Sequence, residues 1–260
     1  MKKIIVLTRP IVQSEDLARR LQGLGYTVVQ FPLLEIAPLP TDSELHQKLT
    51  TSLANLNRYT LVAFVSPNAI HAVFQQGLTW PSEVAIAVLG EGSRAALAQY
   101  GVTDKNTRIY SPGDPTRSDS ETLLDSLDLP ALKGREVVIF RAETGRELLS
   151  DALTEQGIQV DKIIAYRRYA PTLTTHRSEQ LVDLLTCSGN WVVSSSEALR
   201  TLEDMAIKSA GADGVVKMHQ VNLFVTHQRI AQIAEKSGFK HVHLIGLGDE
   251  NLLLALQSHL

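Results

Sequence analysis

Seven short apolar runs in this chain are unbroken rather than alternating, and each stops at a small, hydroxylated or basic residue where a helical pattern starts at once. They read IIVLTRP at 4–10, LVAFVSPNA at 61–69, AIAVLGEGS at 85–93, EVVIFRAETGRE at 136–147, WVVSSSEAL at 191–199, NLFVTHQRIA at 222–231 and HLIGLGDEN at 243–251. An unbroken Val/Ile-rich run is the pattern of a strand covered on both faces, as in a parallel sheet between helices. In such a sheet the strand ends and the following helix starts collect on one edge. Helix N-termini there offer unpaired N–H groups and the positive end of a dipole, an arrangement suited to a ligand with many negative groups.

Helical periods separate the runs. Residues 14–24 place Leu17, Leu21 and Leu24 on one stripe, with Ser14 as N-cap and Gly25 as the stop. Residues 146–156 place Leu149 and Leu153 on one face and stop at Gly157, while 94–100 stop at Gly101 and 230–237 at Gly238. Four units then repeat in order along the chain, which reads as a duplication of one α/β module. Two extended connectors follow the first unit of each half: FPLLEIAPLPT at 31–41, with three prolines, and IIAYRRYAPT at 163–172. Two architectures fit. The halves are consecutive domains meeting near Pro130, or the first unit crosses over to join the end of the chain and the middle is inserted. The paired connectors favour the second.

Composition narrows the function. A net charge of −3 argues against a nucleic-acid or anionic-membrane surface. Cys187 is the only cysteine, so neither an intrachain disulfide nor a multi-thiolate metal site is expected. The eight histidines show no HExxH or comparable ligand spacing, and no metal is expected. No apolar stretch approaches the roughly 20 residues of a membrane helix. Only four consecutive apolar residues, 4–7, precede Thr8, fewer than a secretory segment needs, so the start reads as a first strand and the expected location is cytoplasmic. Gly90-Glu91-Gly92 and Gly246-Leu247-Gly248 are fragments of a dinucleotide fingerprint without its third glycine, and GxxxxGK[ST] and GxSxG are absent.

The candidate ligand contacts are therefore the strand ends themselves: Thr8, Ser66, Gly90, Ser93, Ser194, Ser195, Ser196 and Thr226. Helix capping alone accounts for any one of them. Their recurrence on one sheet edge shifts the weight toward binding. Arg9, Arg141, Arg146 and Arg229 lie beside these ends and bring the fork geometry that suits carboxylates. Arg141 and Arg146, flanking one strand–helix turn, are the leading pair. Tyr166 lies in the second connector, which faces a cleft if two domains flank it. Its phenol can donate a proton without starting charged, although packing at a domain junction is the simpler reading of its position.

Taken in order, these segments resemble uroporphyrinogen-III synthase over essentially the whole chain. The resemblance is carried by Thr8-Arg9-Pro10, FPLLEIAP at 31–38, FVSPNAI at 64–70, LGEGSRAAL at 89–97, FRAETGRELLSDALTEQG at 140–157, the Tyr166 connector, VVSSSEAL at 192–199 and FVTHQRIAQIA at 224–234. It departs at Thr226-His227-Gln228-Arg229, where members often carry a glycine-rich turn with paired threonines. The resemblance implies two similar α/β domains, each a parallel sheet flanked by helices, joined by a two-stranded connector: 1–35 with 171–260, and 36–170. It implies a lyase of tetrapyrrole (haem, sirohaem) biosynthesis, working on hydroxymethylbilane, a linear tetrapyrrole rich in carboxylates. The product would be uroporphyrinogen III, formed with loss of water and inversion of ring D. No cofactor, nucleic acid or membrane partner is implied, and a monomer is expected. Tyr166 matches the family's connector tyrosine and takes the role of proton donor. The strand-end residues and arginines take substrate binding. A non-catalytic two-domain binder of an anionic ligand and a nucleotide-dependent transferase are the competing readings.

Overall fold

The computed structural model describes residues 4–113, 119–187, 189–246 and 248–259. The chain forms two compact units, Met1–Glu35 with Tyr169–Leu260, and Ile36–Arg168. The first unit opens with β1 (Ile4–Leu7), α1 (Ile11–Gly23) and β2 (Thr27–Gln30). Then follow β3 (Glu35–Pro38), α2 (Glu44–Ala54), β4 (Leu61–Phe64), α3 (Pro67–Phe74), β5 (Ala85–Val88), α4 (Glu91–Gln99) and β6 (Ile109–Tyr110). After these come α5 (Ser120–Leu124), α6 (Leu129–Leu132), β7 (Glu136–Ala142), α7 (Leu148–Glu155) and β8 (Gln159–Tyr169). The first unit resumes with α8 (Thr175–Thr186), β9 (Asn190–Val193), α9 (Ser196–Met218), β10 (Asn222–Val225), α10 (Gln228–Ser237), β11 (His241–Leu244) and α11 (Asp249–His259).

The first unit's sheet runs β11-β10-β9-β1-β2, parallel throughout. The second runs β3-β8-β7-β4-β5-β6, with β8 through β6 parallel. The unbroken apolar runs are explained by cover on both faces. In the first unit Trp191, Val193, Leu223 and Val225 face α8, α9 and α10, while Ile5, Leu7, Val192 and Phe224 face α1 and α11. In the second, Val62, Phe64, Val138 and Phe140 pack with Leu49 of α2 and Ile70 and Val73 of α3. Leu61, Ala63, Val137 and Ile139 pack on the other face with Leu123 of α5 and Leu149 and Leu153 of α7.

Two local expectations change. Helix α1 starts at Ile11, not Ser14, with Pro10 at the N-cap position. Proline's fixed φ and missing N–H suit a helix start. Ser14 is instead buried in the first turns, its hydroxyl donating to the carbonyls of Pro10 and Ile11. Helix α9 is broken at Ala210 and Gly211, whose backbone angles are not helical. The stop at Gly238 is strict: it is left-handed (φ 103°), and a Cβ there would lie 3.0 Å from the His219 ring.

Phe140 is fully buried and stacks on Phe64 with ring centroids 5.6 Å apart. Phe140→Ala is expected to cost about 3–5 kcal/mol in urea unfolding. An unchanged midpoint would show that this layer is not what holds the second unit together.

Candidate active site

The geometry of the second unit's polar edge starts from one irregularity. Strands β7 and β8 pair residue for residue up to Arg141 opposite Ile164, after which Ala142 pairs with Tyr166 and Ala165 has no opposite number. This is a β-bulge, and a bulge re-aims every side chain beyond it. In parallel pairing, opposed residues share a face. Ile163 lies opposite Phe140, so without the bulge Ala165 would share that face and Tyr166 would point to the other. With it, Tyr166 lies on the Phe64–Phe140 face, packed in the same layer.

Strand β7 separates β8 from β4, which sets those two strands about 10 Å apart. The Tyr166 side chain reaches toward β4 across the end of β7, where its neighbour on the same face is the small Ala142, and the Ser66 side chain closes the gap. Its hydroxyl meets Ser66 Oγ at 2.9 Å. Ser66 follows β4 and caps α3, its Oγ accepting from the Ala69 N–H at 3.2 Å, with Pro67 as the first helical residue. Tyr166 is 3% exposed and Ser66 is half-buried, so the serine is the outer member of the pair.

The other candidate residues of the second unit lie at neighbouring strand ends and helix starts of the same sheet. Gly90 occupies the N-cap position of α4, and Ser93 is buried in its first turn. The two arginines are already engaged. Arg141 is 8% exposed and donates to Glu147 Oε1 at 2.6 Å, and a Cβ on Gly145 would come within 3.2 Å of its guanidinium. Arg146 donates to both oxygens of Glu121, at 2.8 and 3.0 Å. Lys162 and Ser150 hold the second Glu147 oxygen at 3.0 and 3.1 Å. Lys162 and then Arg141, each through a hydrogen bond to the carboxylate, hold Glu147 below the usual carboxylate range. Arg167 pairs with Glu143 at 3.2 Å, and Arg168 donates to the Thr144 carbonyl at 2.9 Å. The turn after β7 is thus clasped by basic side chains from β7 and β8.

In the first unit the edge is built similarly. Thr8 is buried and donates to the Val192 carbonyl at 2.6 Å, tying β1 to β9. Arg9 donates to Asp249 in the first turn of α11 at 2.7 Å. Ser195 caps α9, accepting from the Ala198 N–H at 3.0 Å, beside a half-buried Ser194. Ser196 is 9% exposed and its hydroxyl has no partner among the described residues. Thr226 is buried at the end of β10, and exposed Arg229 lies in the first turn of α10, capped by His227. The arginine partners were missed in the sequence. Glu147 could have been found within RAETGRE, whereas Asp249 is 240 positions from Arg9.

A separate cavity of about 510 Å³ opens at the other end of β4, lined by α2, Arg58, Tyr59, Asp161 and Ile163. There Tyr59 donates to Asp161 at 2.7 Å and meets Ser52 at 3.3 Å, while Arg58 pairs with Asp161 at 2.7 Å and Glu136 at 3.3 Å. Burial is the main cause that pushes the Tyr59 phenol up, and it stays neutral. None of the strand-end residues reaches this cavity. Among the described residues no group of three or more His, Cys, Asp or Glu side chains could hold a metal ion, and no helix is long and apolar enough to cross a membrane.

Residues 15–244 match the family model described as uroporphyrinogen-III synthase HemD. The chain belongs to the uroporphyrinogen-III synthase family. It is 31% identical to the synthase of Salmonella typhimurium over 97% of this chain and 99% of that one. It is 29% identical to the synthase of Escherichia coli, with the same coverage of each chain. Among solved structures, a mutant synthase from Thermus thermophilus superposes with a TM-score of 0.61 at 15% identity, covering 99% of this chain and 98% of that one. The synthase of Helicobacter pylori gives 0.58 at 14% identity, covering 99% and 100%. At such identities the structural matches speak for the fold: two α/β domains, each with a sheet flanked by helices. Family membership brings with it lyase chemistry in tetrapyrrole biosynthesis.

The Glu147 cluster gives a pH test. A carboxylate held low in the folded state contributes stability above its unfolded value and loses it as pH falls through the folded one. The stability gap between wild type and Glu147→Gln should therefore be present at neutral pH and close as pH falls below the ordinary glutamate value of 4.5. A gap that stays constant in urea titrations at pH 7 and pH 3 would contradict the assignment.

Proposed function

We propose that the protein converts hydroxymethylbilane to uroporphyrinogen III, closing the ring with loss of water and inverting ring D. The observation that carries this reading is the phenol–serine pair at the helix α3 N-terminus, 2.9 Å apart, on the ligand-binding edge of a parallel sheet. The hydroxymethyl group leaves as water, which requires a proton on its oxygen. Tyr166 supplies that proton. The resulting azafulvene is attacked by ring D at its substituted carbon, giving a spiro intermediate that reopens and recloses inverted.

The substrate's acetates and propionates require scattered donors rather than one strong site. Capped helix starts at Ser66, Gly90 and Ser195, with Thr8, Ser93, Ser194, Ser196 and Thr226 beside such ends, supply short polar groups and backbone N–H. Arg9, Arg141, Arg146 and Arg229 set the positive field around them, though three of these are held by Asp249, Glu147 and Glu121. Because the bilane is itself reactive, the enzyme's main contribution is geometric: one folded arrangement of the chain, with direct closure blocked. The task needs no strong nucleophile and no cofactor.

Freshly prepared hydroxymethylbilane decides the matter. The wild-type protein should yield uroporphyrinogen III. Formation of the type I isomer alone, at the spontaneous rate, would contradict the proposal and favour a non-catalytic binder. Tyr166→Phe should remain folded and lose about 100-fold in kcat, the low end for a general acid. Full turnover in that variant would remove Tyr166 from the proton chemistry.

A further inference from the structure

We infer that Ser66, and not Tyr166, touches the departing oxygen, and that Tyr166 delivers its proton through the serine hydroxyl. This deepens the proposed function and rests on it. Hydrogen-bond satisfaction fixes the direction of the pair. Tyr166 is 3% exposed, and among the described residues its hydroxyl has one partner, Ser66 Oγ at 2.9 Å. If Ser66 donated to the phenol, the phenolic proton would be a buried donor with no acceptor, an arrangement native structures avoid. If the phenol donates to Ser66, that donor is satisfied.

Ser66 Oγ then accepts twice, from Tyr166 and from the Ala69 N–H at 3.2 Å. A hydroxyl has two acceptor positions and one proton. With both acceptor positions filled, the serine proton is left to point away from the pair. Ser66 is the half-buried member and can present that proton outward. Two donors on one oxygen also polarise its O–H bond, and the N-terminus of α3 adds its positive end.

The step balances within the proposed reaction. The substrate's hydroxymethyl C–O bond breaks with its electron pair on oxygen, and the pyrrole ring's electrons fill the vacated carbon. The oxygen takes the Ser66 proton and leaves as water. Ser66 takes the proton of Tyr166, and the new serine O–H turns inward to hydrogen-bond the phenolate. The proton released from the attacked pyrrole as the ring closes returns along the same chain to Tyr166. The net products are the macrocycle and one water.

A double-mutant cycle in kcat tests the relay, using freshly prepared hydroxymethylbilane and wild type, Ser66→Ala, Tyr166→Phe and the double variant. One relay predicts about a 100-fold loss in each single variant and no further loss in the double, with KM nearly unchanged. Independent roles predict multiplied losses of about 10⁴-fold. A Ser66 that only binds a substrate carboxylate predicts a raised KM with kcat intact. Either result overturns the relay. Ser66→Asp separates the cap from the proton path, because aspartate caps helices well and its carboxylate has no proton to give. It should keep the melting temperature and lose kcat as Ser66→Ala does, while Ser66→Thr recovers most of the turnover. A fully active Ser66→Asp also overturns the relay. Wild type yielding only the type I isomer would sink the synthase reading and the relay with it, whereas an active wild type with uncoupled variants would sink the relay alone.

Discussion

A single unpaired residue, Ala165, sets the geometry on which the candidate site depends. Side chains along a strand alternate, so one extra residue exchanges the two faces for everything beyond it. It turns Tyr166 onto the face shared by Phe64 and Phe140 and lets its hydroxyl meet Ser66. The ring is buried in the same cluster as these two phenylalanines. Phe140 and Phe64 stack beneath the polar edge, and close packing leaves little room for a second rotamer. Packing and hydrogen bonding are thus one arrangement, a phenol buried in the core cluster and bonded to a half-buried serine.

The remaining charge at these edges is largely spent inside the chain. Arg9, Arg141, Arg146 and Arg167 each face a carboxylate of the protein's own: Asp249, Glu147, Glu121 and Glu143. The pairs of Arg146 and Arg167 are exposed and contribute little to stability, whereas Arg141 is buried. The evident structural effect of the four pairs is to hold the turn after β7 and the start of α11 in place. A polyanionic ligand would then meet neutral hydroxyls and backbone N–H groups more readily than free guanidinium forks. Such donors suit a task in which a reactive chain is held in shape instead of being activated strongly.

The sheets were readable because cover on both faces leaves a plain mark, the unbroken Val/Ile run, and each run became a strand of a parallel sheet. Helix ends at Gly238 were readable because only glycine tolerates that backbone beside His219. The start of α1 was misplaced because Ser14 has the chemistry of a cap, while Pro10 carried the true signal. The Ser66–Tyr166 contact was not readable, although both residues were selected. They are 100 positions apart, and a bulge changes no residue type by which to recognise it. The engagement of Arg9 by Asp249 was hidden for the same reason, since long-range pairing leaves no local periodicity.

On the proposed reading, the substrate's reacting end sits at the phenol–serine pair. A crystal structure with uroporphyrinogen III, kept reduced, tests this directly. A pyrrole-ring methylene bridge of the bound product is expected beside Ser66 Oγ, with Tyr166 behind the serine and out of contact with the ligand. Product lodged instead in the cavity lined by Arg58, Tyr59 and Asp161, with the Ser66 edge empty, would contradict it.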